Sequence, residues 1–379
     1  MENFIAYNPT KLHFGKGVMD QLGKAIQEYG KKVLLIYGGG SIKRNGIYDK
    51  AVEQLKSIGV EVFEYSGIKP NPIIEDVDEA AKLGRDNDVD VILAVGGGSV
   101  IDSAKIISIT IPVQHSGWDF YAGKAKPQTA IPLISVLTLA ATGTEMNPFA
   151  VVQNKETQQK LGYGHDLLYN KHSFLDPENT YTVPRDYTAY GIADLIAHCL
   201  EAYFGGGEAT LSDKIVFAIL KDAMEYGEAL LDDLENYDLR ANIMYDATMA
   251  LNKITMHGRT SGDWGVHTIG HCLSMLYDTA HGASLTIASP AWMKYHKDII
   301  PERIAFLGKN VFDVDGVDET IKAFEDYYKR IECPIRFSEI AEAGQTKDEV
   351  LTLMNQNKVQ GMCHALNDDA RTQILDLFW

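Results

Sequence analysis

Two strand-like runs that end in glycine decide the fold class: KKVLLIYGGG (residues 31–40) and VDVILAVGGGS (residues 89–99). Between them, NGIYDKAVEQLKSIG (45–59), VEVFEYSG (60–67) and PIIEDVDEAAKLGRDN (72–87) alternate helical and β-branched patterns. This βαβα alternation predicts a parallel sheet covered by helices, with ligand-binding loops at the carboxyl ends of the strands. We therefore expect an N-terminal Rossmann-like dinucleotide-binding domain.

The pattern changes in the second half of the chain. Residues 132–145 add one more apolar strand, but the later stretches are long and have helical period. The change falls where Pro177 and Pro184 interrupt regular structure. We predict an α/β plus all-α fold, with a Rossmann-like domain over residues 1–181 and an all-helical metal-binding domain over residues 182–379.

Composition restricts the class of partner. The chain has 379 residues and a formal charge of −17, from 35 Lys and Arg against 52 Asp and Glu, which disfavours nucleic acid and anionic membranes. Its four cysteines are widely separated, so structural disulfides are not expected. The N-terminal residues lack the pattern of a signal peptide, and we expect a cytoplasmic protein.

A carboxylate and four imidazoles stand in one downstream stretch: Asp194, His198, His267, His271 and His281. Residues four apart project from one face of a helix, and carboxylate oxygen with neutral imidazole nitrogen suits Fe²⁺ or Zn²⁺. The alternative is a coincidence on helix faces, with Asp194 as a cap or a salt-bridge partner. Asp194 and His198 lie in an otherwise apolar run, where a buried charge needs compensation.

The glycine loop after residues 89–95 predicts an anion site. Gly97, Gly98 and Ser99 follow a buried strand and open a helix, so backbone amides can face a diphosphate. A tight strand-to-helix turn is the alternative explanation of the glycines. Within the helix, Asp102 is a better candidate for a cofactor contact than Lys105, and a surface charge is the alternative for both.

The other glycine loop, which follows residues 31–37, bears on the choice of cofactor. Gly39, Gly40 and Ser41 replace the acid that would hold the ribose hydroxyls of NAD, and Lys43 and Arg44 follow. The cations favour the 2′-phosphate of NADP(H). The alternative is that they only solvate the start of a helix.

The chain resembles the iron-containing (group III) alcohol dehydrogenase family, nearest to its NADPH-dependent butanol dehydrogenase and aldehyde reductase branch. The shared motifs span nearly the whole chain: YNPTKLHFGKG (7–17), GIKPNP (67–72), GGGSVIDSAK (96–105), TLAATGTEMN (138–147) and AHGAS (280–284). The carboxyl end, DDARTQILDLFW, is short compared with longer members, which bears on the outer substrate pocket and not on the metal. The resemblance also implies a homodimer.

The resemblance implies roles for individual residues. The metal ligands would be Asp194, His198, His267 and His281, with His271 unligated and facing the active site. Three groups of residues would border the cofactor: Gly39, Gly40 and Ser41 at the adenosine phosphate, Gly97, Gly98 and Ser99 at the diphosphate, and Thr138, Leu139 and Thr142 beside them. Lys160 would lie near the nicotinamide ribose, with Asn71 also on the cofactor side.

We thus expect an NADP-dependent, metal-containing alcohol dehydrogenase or aldehyde reductase acting on a primary aliphatic alcohol or aldehyde. The metal would serve as a Lewis acid and His271 would pass a proton, unless His271 is a core histidine bonded to a backbone carbonyl. One alternative is a glycerol dehydrogenase or dehydroquinate synthase-like enzyme of the same fold. Another is a non-catalytic nucleotide-binding sensor.

Overall fold

The expected parallel sheet is present in the computed structural model, which describes residues 1–342 and 344–379. The strands are β1 (Lys11–Phe14), β2 (Lys32–Tyr37), β3 (Glu61–Ser66), β4 (Val91–Gly96), β5 (Leu133–Leu137), β6 (Phe149–Asn154), β7 (Gln159–Gly164) and β8 (His172–Leu175). Six of them form a sheet in the order β1-β8-β5-β4-β2-β3, in which every neighbouring pair is parallel. Strands β6 and β7 form a separate antiparallel hairpin.

Helices cover both faces of this sheet. They are α1 (Leu22–Gln27), α2 (Ser41–Arg44), α3 (Ile47–Ser57), α4 (Ile74–Asp86), α5 (Gly98–Thr110) and α6 (Trp118–Tyr121). Alternate residues of β4 enter two separate cores: Ile92 packs in the core that contains α4 and α5, and Leu93 in the core that contains α1 and α3. Because both faces are buried, the central strands are continuously apolar instead of alternating with polar residues.

The register of the central strands brings the predicted loops to one edge of the sheet. Tyr37 at the end of β2 is aligned with Val95 of β4, and Gly96 is aligned with Leu137 at the end of β5. The segments that follow these three strands therefore start side by side. This is the edge at which parallel α/β sheets bind ligands.

The second half of the chain is helical, as expected. Its helices are α7 (Arg185–Tyr203), α8 (Thr210–Asp232), α9 (Tyr237–Leu251), α10 (Gly265–Tyr277), α11 (His281–His296), α12 (Pro301–Val311), α13 (Val317–Arg330), α14 (Lys347–Gln356) and α15 (Asp368–Phe378). The strands found in the described residues all precede α7, which confirms the α/β plus all-α fold class. Within the same residues, no helix is long and apolar enough to cross a bilayer.

The chain divides into two units. The sheet unit consists of Tyr7–Val183 and Glu235–Met244, and the helical unit of Met1–Ala6, Pro184–Leu234 and Tyr245–Trp379. The main boundary along the chain thus falls between Val183 and Pro184. Two short segments are exceptions: Met1–Ala6 belongs to the helical unit, and Glu235–Met244 belongs to the sheet unit. The assignment of NADP(H) to the N-terminal domain and of the metal to the helical domain remains a prediction.

Candidate metal centre and cofactor-binding loops

Helix α7 carries the first two candidate ligands. Pro184 precedes Arg185, the first residue of the helix, and every residue from Gly191 to Tyr203 is buried. Asp194 and His198 are one turn apart, and His198 Nε2 lies 3.5 Å from Asp194 Oδ1. The apolar neighbours in the sequence therefore place both polar groups inside the helical unit.

Two further imidazoles reach the same carboxylate oxygen from other helices. Helix α10 starts after Trp264, whose φ of 66° turns the chain into the helix, and His267 lies in its first turn. His267 Nε2 is 3.8 Å from Asp194 Oδ1, and Nε2 of His281, the first residue of α11, is 3.6 Å from it. Three Nε2 atoms from three helices thus surround one carboxylate oxygen.

This arrangement fits a divalent cation. Asp194, His267 and His281 each offer a ligand atom within 4.8 Å of one another. Asp194 Oδ1 and His267 Nε2 are buried and have no hydrogen-bond partner in the described part of the chain. Leaving such atoms unpaired is costly, and one cation bound to these oxygen and nitrogen donors would remove that cost.

The pKa values of the groups in the cluster are shifted in different directions. Burial raises the pKa of Asp194, but His198, His281 and His267 lower it further, so the net pKa lies well below the ordinary value. Burial also lowers the pKa of His198 to about 4, which keeps that imidazole neutral. For His267 burial acts in the same direction, but Asp194 and Glu201 outweigh it and raise the pKa to about 9.

His271 lies beside the cluster, one turn after His267. Its ring centre is 6.5 Å from that of His267 and 5.8 Å from that of His281, and the residue is buried. The predicted proton-transfer residue is therefore next to two of the predicted ligands. Its role remains a prediction.

The loop after β4 is tightly packed by predicted cofactor residues. A Cβ atom on Gly98 would lie 2.6 Å from Thr142, and one on Gly97 would lie 3.3 Å from Leu139. Thr138 donates its backbone N–H to Gly96 O over 3.1 Å. The sheet thus brings the segment after β5 against the loop after β4, and a side chain at Gly98 could not be accommodated.

Asp102 connects the next turn of α5 to this segment. Its Oδ1 accepts a 2.5 Å hydrogen bond from Thr144 Oγ1, and its Oδ2 accepts one of 2.8 Å from Val151 N. Lys105 is fully buried and donates to Thr144 Oγ1 and to the backbone oxygens of Asn147 and Phe149. These contacts attach the 144–151 segment to the helix that starts at the glycine loop.

The loop after β2 is open. Cβ atoms added to Gly39 or Gly40 would meet nothing within 4 Å, and Gly40 has φ +97°, a conformation that favours glycine. Beside this loop, Lys43 Nζ lies 4.9 Å from the ring centre of Tyr37 and 4.5 Å from that of Tyr48. The predicted phosphate-binding cation is therefore held against two aromatic rings next to an open glycine loop.

Sequence reasoning missed one carboxylate that contacts the cluster. Glu201 is buried, and its Oε1 accepts hydrogen bonds from His267 N (3.0 Å) and His267 Nδ1 (3.1 Å). Glu201 follows Asp194 by seven residues and His198 by three, which is the spacing of one helix face. That spacing was the available signal.

Two family models match the chain. The iron-containing alcohol dehydrogenase model matches residues 9–177, and the C-terminal model of the Fe-containing alcohol dehydrogenase family matches residues 188–377. Among curated proteins, the chain is 47% identical over 323 residues to the probable NADH-dependent butanol dehydrogenase 2 of Bacillus subtilis, which spans 85% of this chain and 83% of that protein. It is 33% identical to the NADPH-dependent aldehyde reductase YqhD of Escherichia coli, over 94% of each chain.

A solved structure matches the whole fold. The crystal structure of NADH-dependent butanol dehydrogenase A from Thermotoga maritima has a TM-score of 0.94 with this chain at 39% identity. The match covers 100% of this chain and 99% of that one.

Proposed function

Because this chain belongs to the iron-containing alcohol dehydrogenase family, we propose that it transfers a hydride between NADP(H) and a small primary aliphatic alcohol or aldehyde. The observation that supports this most directly is the position of Asp194 Oδ1, with Nε2 atoms of His198, His267 and His281 at 3.5, 3.8 and 3.6 Å. Such a donor set serves hydride chemistry at a carbonyl, where the substrate oxygen must be polarised.

Asp194, His198, His267 and His281 would hold the metal. When bound, the metal supplies a Lewis acid for the substrate oxygen, and the nicotinamide supplies or accepts the hydride. Fe²⁺ is the first candidate because of the family, and Zn²⁺ is the second because three imidazoles and a carboxylate accept both ions. Asp194, His198 and His267 are buried, which limits the access of bulk water to their donor atoms, whereas His281 is partly exposed.

His271 is proposed as the residue that holds and passes the proton of the product alcohol. It is buried and lies one turn from His267, so its imidazole has a fixed place beside the predicted ligands. Imidazole is suited to proton transfer near neutral pH.

The glycine loops would hold the dinucleotide. Gly97, Gly98 and Ser99 at the start of α5 would face the diphosphate, with Leu139 and Thr142 packed beside them. Gly39, Gly40 and Ser41 would border the adenosine phosphate, and Asp102, Thr138, Asn71 and Lys160 complete the proposed set.

NADP(H) is the proposed form of the cofactor because Lys43 lies beside the open loop and Tyr37 and Tyr48 restrict its position. A second candidate is NAD(H), which the name of the Bacillus subtilis relative favours, whereas the Escherichia coli relative is named NADPH-dependent. A direct comparison of the two cofactors is therefore part of the test.

A homodimer in the cytoplasm completes the proposal. Strand β1 is an edge of the sheet, Phe14 at its end is exposed, and an exposed edge can pair with a second chain. Cys199, Cys272, Cys333 and Cys363 are all free thiols, which agrees with a reducing compartment. Light scattering of the purified protein tests the dimer.

The test is an assay of purified protein with measured metal content. We expect butanal to consume NADPH absorbance after Fe²⁺ or Zn²⁺ is supplied, and a chelator to abolish the activity. His267→Ala should lose both metal and turnover. Full activity of metal-free protein would contradict the proposal, a strong preference for glycerol would indicate the glycerol dehydrogenase alternative, and NADPH binding without turnover of any substrate would indicate a sensor.

A further inference from the structure

A buried carboxylate supports the back of one predicted ligand. Glu201 lies on α7 and is only 3% exposed, and its Oε1 accepts hydrogen bonds from both the backbone N and the ring Nδ1 of His267, at 3.0 and 3.1 Å. The other ring nitrogen of His267 faces Asp194 at 3.8 Å. Glu201 and Asp194 thus contact opposite nitrogens of one imidazole.

We propose that Glu201 is a positioning residue that fixes the tautomer and the ring orientation of His267 for metal binding. In neutral imidazole one nitrogen carries the hydrogen and the other carries the lone pair. In the neutral form, which a metal would bind after the Nε2 proton leaves, donation of Nδ1–H to the Glu201 carboxylate puts the lone pair on Nε2, the atom beside Asp194. The inference rests on the proposed ligand set.

The same carboxylate oxygen also fixes the start of α10. His267 is the third residue of that helix, and the N–H groups of a first turn have no partner within the helix. Glu201 supplies an acceptor for one of them, and a negative charge at a helix N-terminus is stabilising. Because one atom binds both the backbone and the ring of His267, the ring cannot shift independently of the helix start.

The backbone of Glu201 is in turn hydrogen-bonded to the turn before α10. Asp263 N donates to Glu201 O over 2.9 Å, and the Asp263 carboxylate accepts the backbone N–H groups of Gly265, Cys363 and His364 at 3.2, 3.0 and 2.8 Å. The turn before α10 is therefore attached to α7 on one side and to the 363–364 segment on the other.

His198, unlike His267, has no carboxylate behind its ring in the described part of the chain. Nδ1 of His198 has no hydrogen-bond partner among the residues that the structure describes, and its ring stacks on that of His267 with centres 4.9 Å apart and planes at 18°. A movement of the His267 ring would thus also affect His198. Removal of Glu201 should therefore disturb both His267 and His198, and weaken metal binding by more than the loss of His267 orientation alone.

The experiment compares Glu201→Ala and Glu201→Gln with the unmodified full chain, by competition with a chelator for Zn²⁺ and by the visible spectrum of bound Co²⁺. We expect E201A to bind metal about 10- to 100-fold more weakly, which is the usual effect of removing such a partner, and its Co²⁺ bands to move. E201Q retains an acceptor oxygen without the charge, and its loss of metal affinity should be smaller than that of E201A but measurable, about three- to tenfold.

Asp213→Asn is the matched control. Asp213 is a buried acid of the same unit, but it accepts hydrogen bonds from Arg259 and Arg303, and among the described residues no hydrogen bond or ion pair joins it to a predicted ligand. Thermal unfolding of the metal-free proteins measures the loss of stability in each variant. We expect D213N to lose stability while keeping its metal affinity.

Three results would overturn the inference. One is an E201A variant with unchanged affinity and an unchanged Co²⁺ spectrum; another is a D213N variant that loses as much affinity as E201A. If E201A does not fold without metal, E201Q decides, and unchanged affinity in E201Q overturns the inference. His267→Ala distinguishes a failure of the proposed ligand set from a failure of the role of Glu201. If H267A keeps its metal, the ligand set is wrong. If H267A loses its metal and E201A does not, only the role of Glu201 is wrong.

Discussion

Lys160 Nζ donates a 2.8 Å hydrogen bond to Asn71 Oδ1, although 89 positions separate the two residues. Lys160 lies on β7, and Asn71 precedes α4 with a φ of 29°. Gln153 N also donates to Pro72 O over 2.8 Å, so the β6–β7 hairpin is fixed to this segment by two bonds. A buried cation is thereby held in place on the sheet unit.

Replacing Lys160 should weaken cofactor binding. Lys160→Met removes the positive charge but keeps most of the apolar stem, and we expect the KM for NADPH to rise about tenfold, or about 1.4 kcal/mol. Steady-state kinetics with varied NADPH measures it. Lys155→Met, at an exposed position of the same hairpin, is the control and should leave KM unchanged; equal effects of the two variants would argue against a cofactor role for Lys160.

Replacing Lys43 should change selectivity between cofactors. Lys43→Gln removes a cation proposed to contact the 2′-phosphate, which NADH lacks, so we expect KM to rise about tenfold for NADPH and little for NADH. The ratio of kcat/KM values for the two cofactors is the measurement. Lys50→Gln, at an exposed position of α3, is the control. A parallel change for both cofactors in K43Q would show that Lys43 does not contact the 2′-phosphate.

Replacing His271 should separate proton transfer from metal binding. We expect His271→Gln to lower kcat by about 100-fold or more, the usual contribution of a general acid or base, with metal content unchanged. Elemental analysis and turnover of the same preparation provide both values. Loss of metal from H271Q would make His271 a ligand, and unchanged turnover would make it a core residue.

Asp246 should make the helical unit less stable as pH rises. It is buried, its Oδ2 has no hydrogen-bond partner within the described ranges, and burial together with Asp222 raises its pKa to about 8. The unfolded chain loses this proton near pH 4, as is usual for Asp. Between about pH 4 and about pH 8 the folded state therefore binds more protons, and the free energy of unfolding falls as pH rises through this window.

The variant Asp246→Asn removes that titration. We expect D246N to be more stable than the unmodified protein by about 1–3 kcal/mol near pH 8, with a smaller difference near pH 5. Denaturant unfolding of the metal-free proteins at both pH values measures the difference. Asp238→Asn, at an exposed position of the same helix, is the control. A stability difference that does not change with pH would show that Asp246 is ionised in the folded protein.

Local pattern was sufficient to predict the fold class. Apolar runs such as residues 89–96 indicate strands buried on both faces, glycines mark the turns after them, and helical period marks the second half. The pairs Asp194 with His198 and His267 with His271 followed from the same rule, because residues four apart share a helix face wherever the helix lies.

Local pattern did not determine which side chains from different elements meet. The sequence offered His267, His271 and His281 alike, and only the packing of α10 and α11 against α7 places Nε2 of His267 and of His281 beside Asp194. The carboxylate of Glu201 behind His267 and the bond from Lys160 to Asn71 depend in the same way on packing between distant segments.

The amino-acid sequence by itself therefore determined the fold class, the strands β2, β3, β4 and β5 and the set of candidate ligands, because these depend on helix and strand periodicity. The tertiary structure alone decided which atoms converge on the carboxylate, which segments join each unit and which side chains contact the candidate ligands. Those distances depend on how whole elements pack against one another, and spacing along the chain does not fix them.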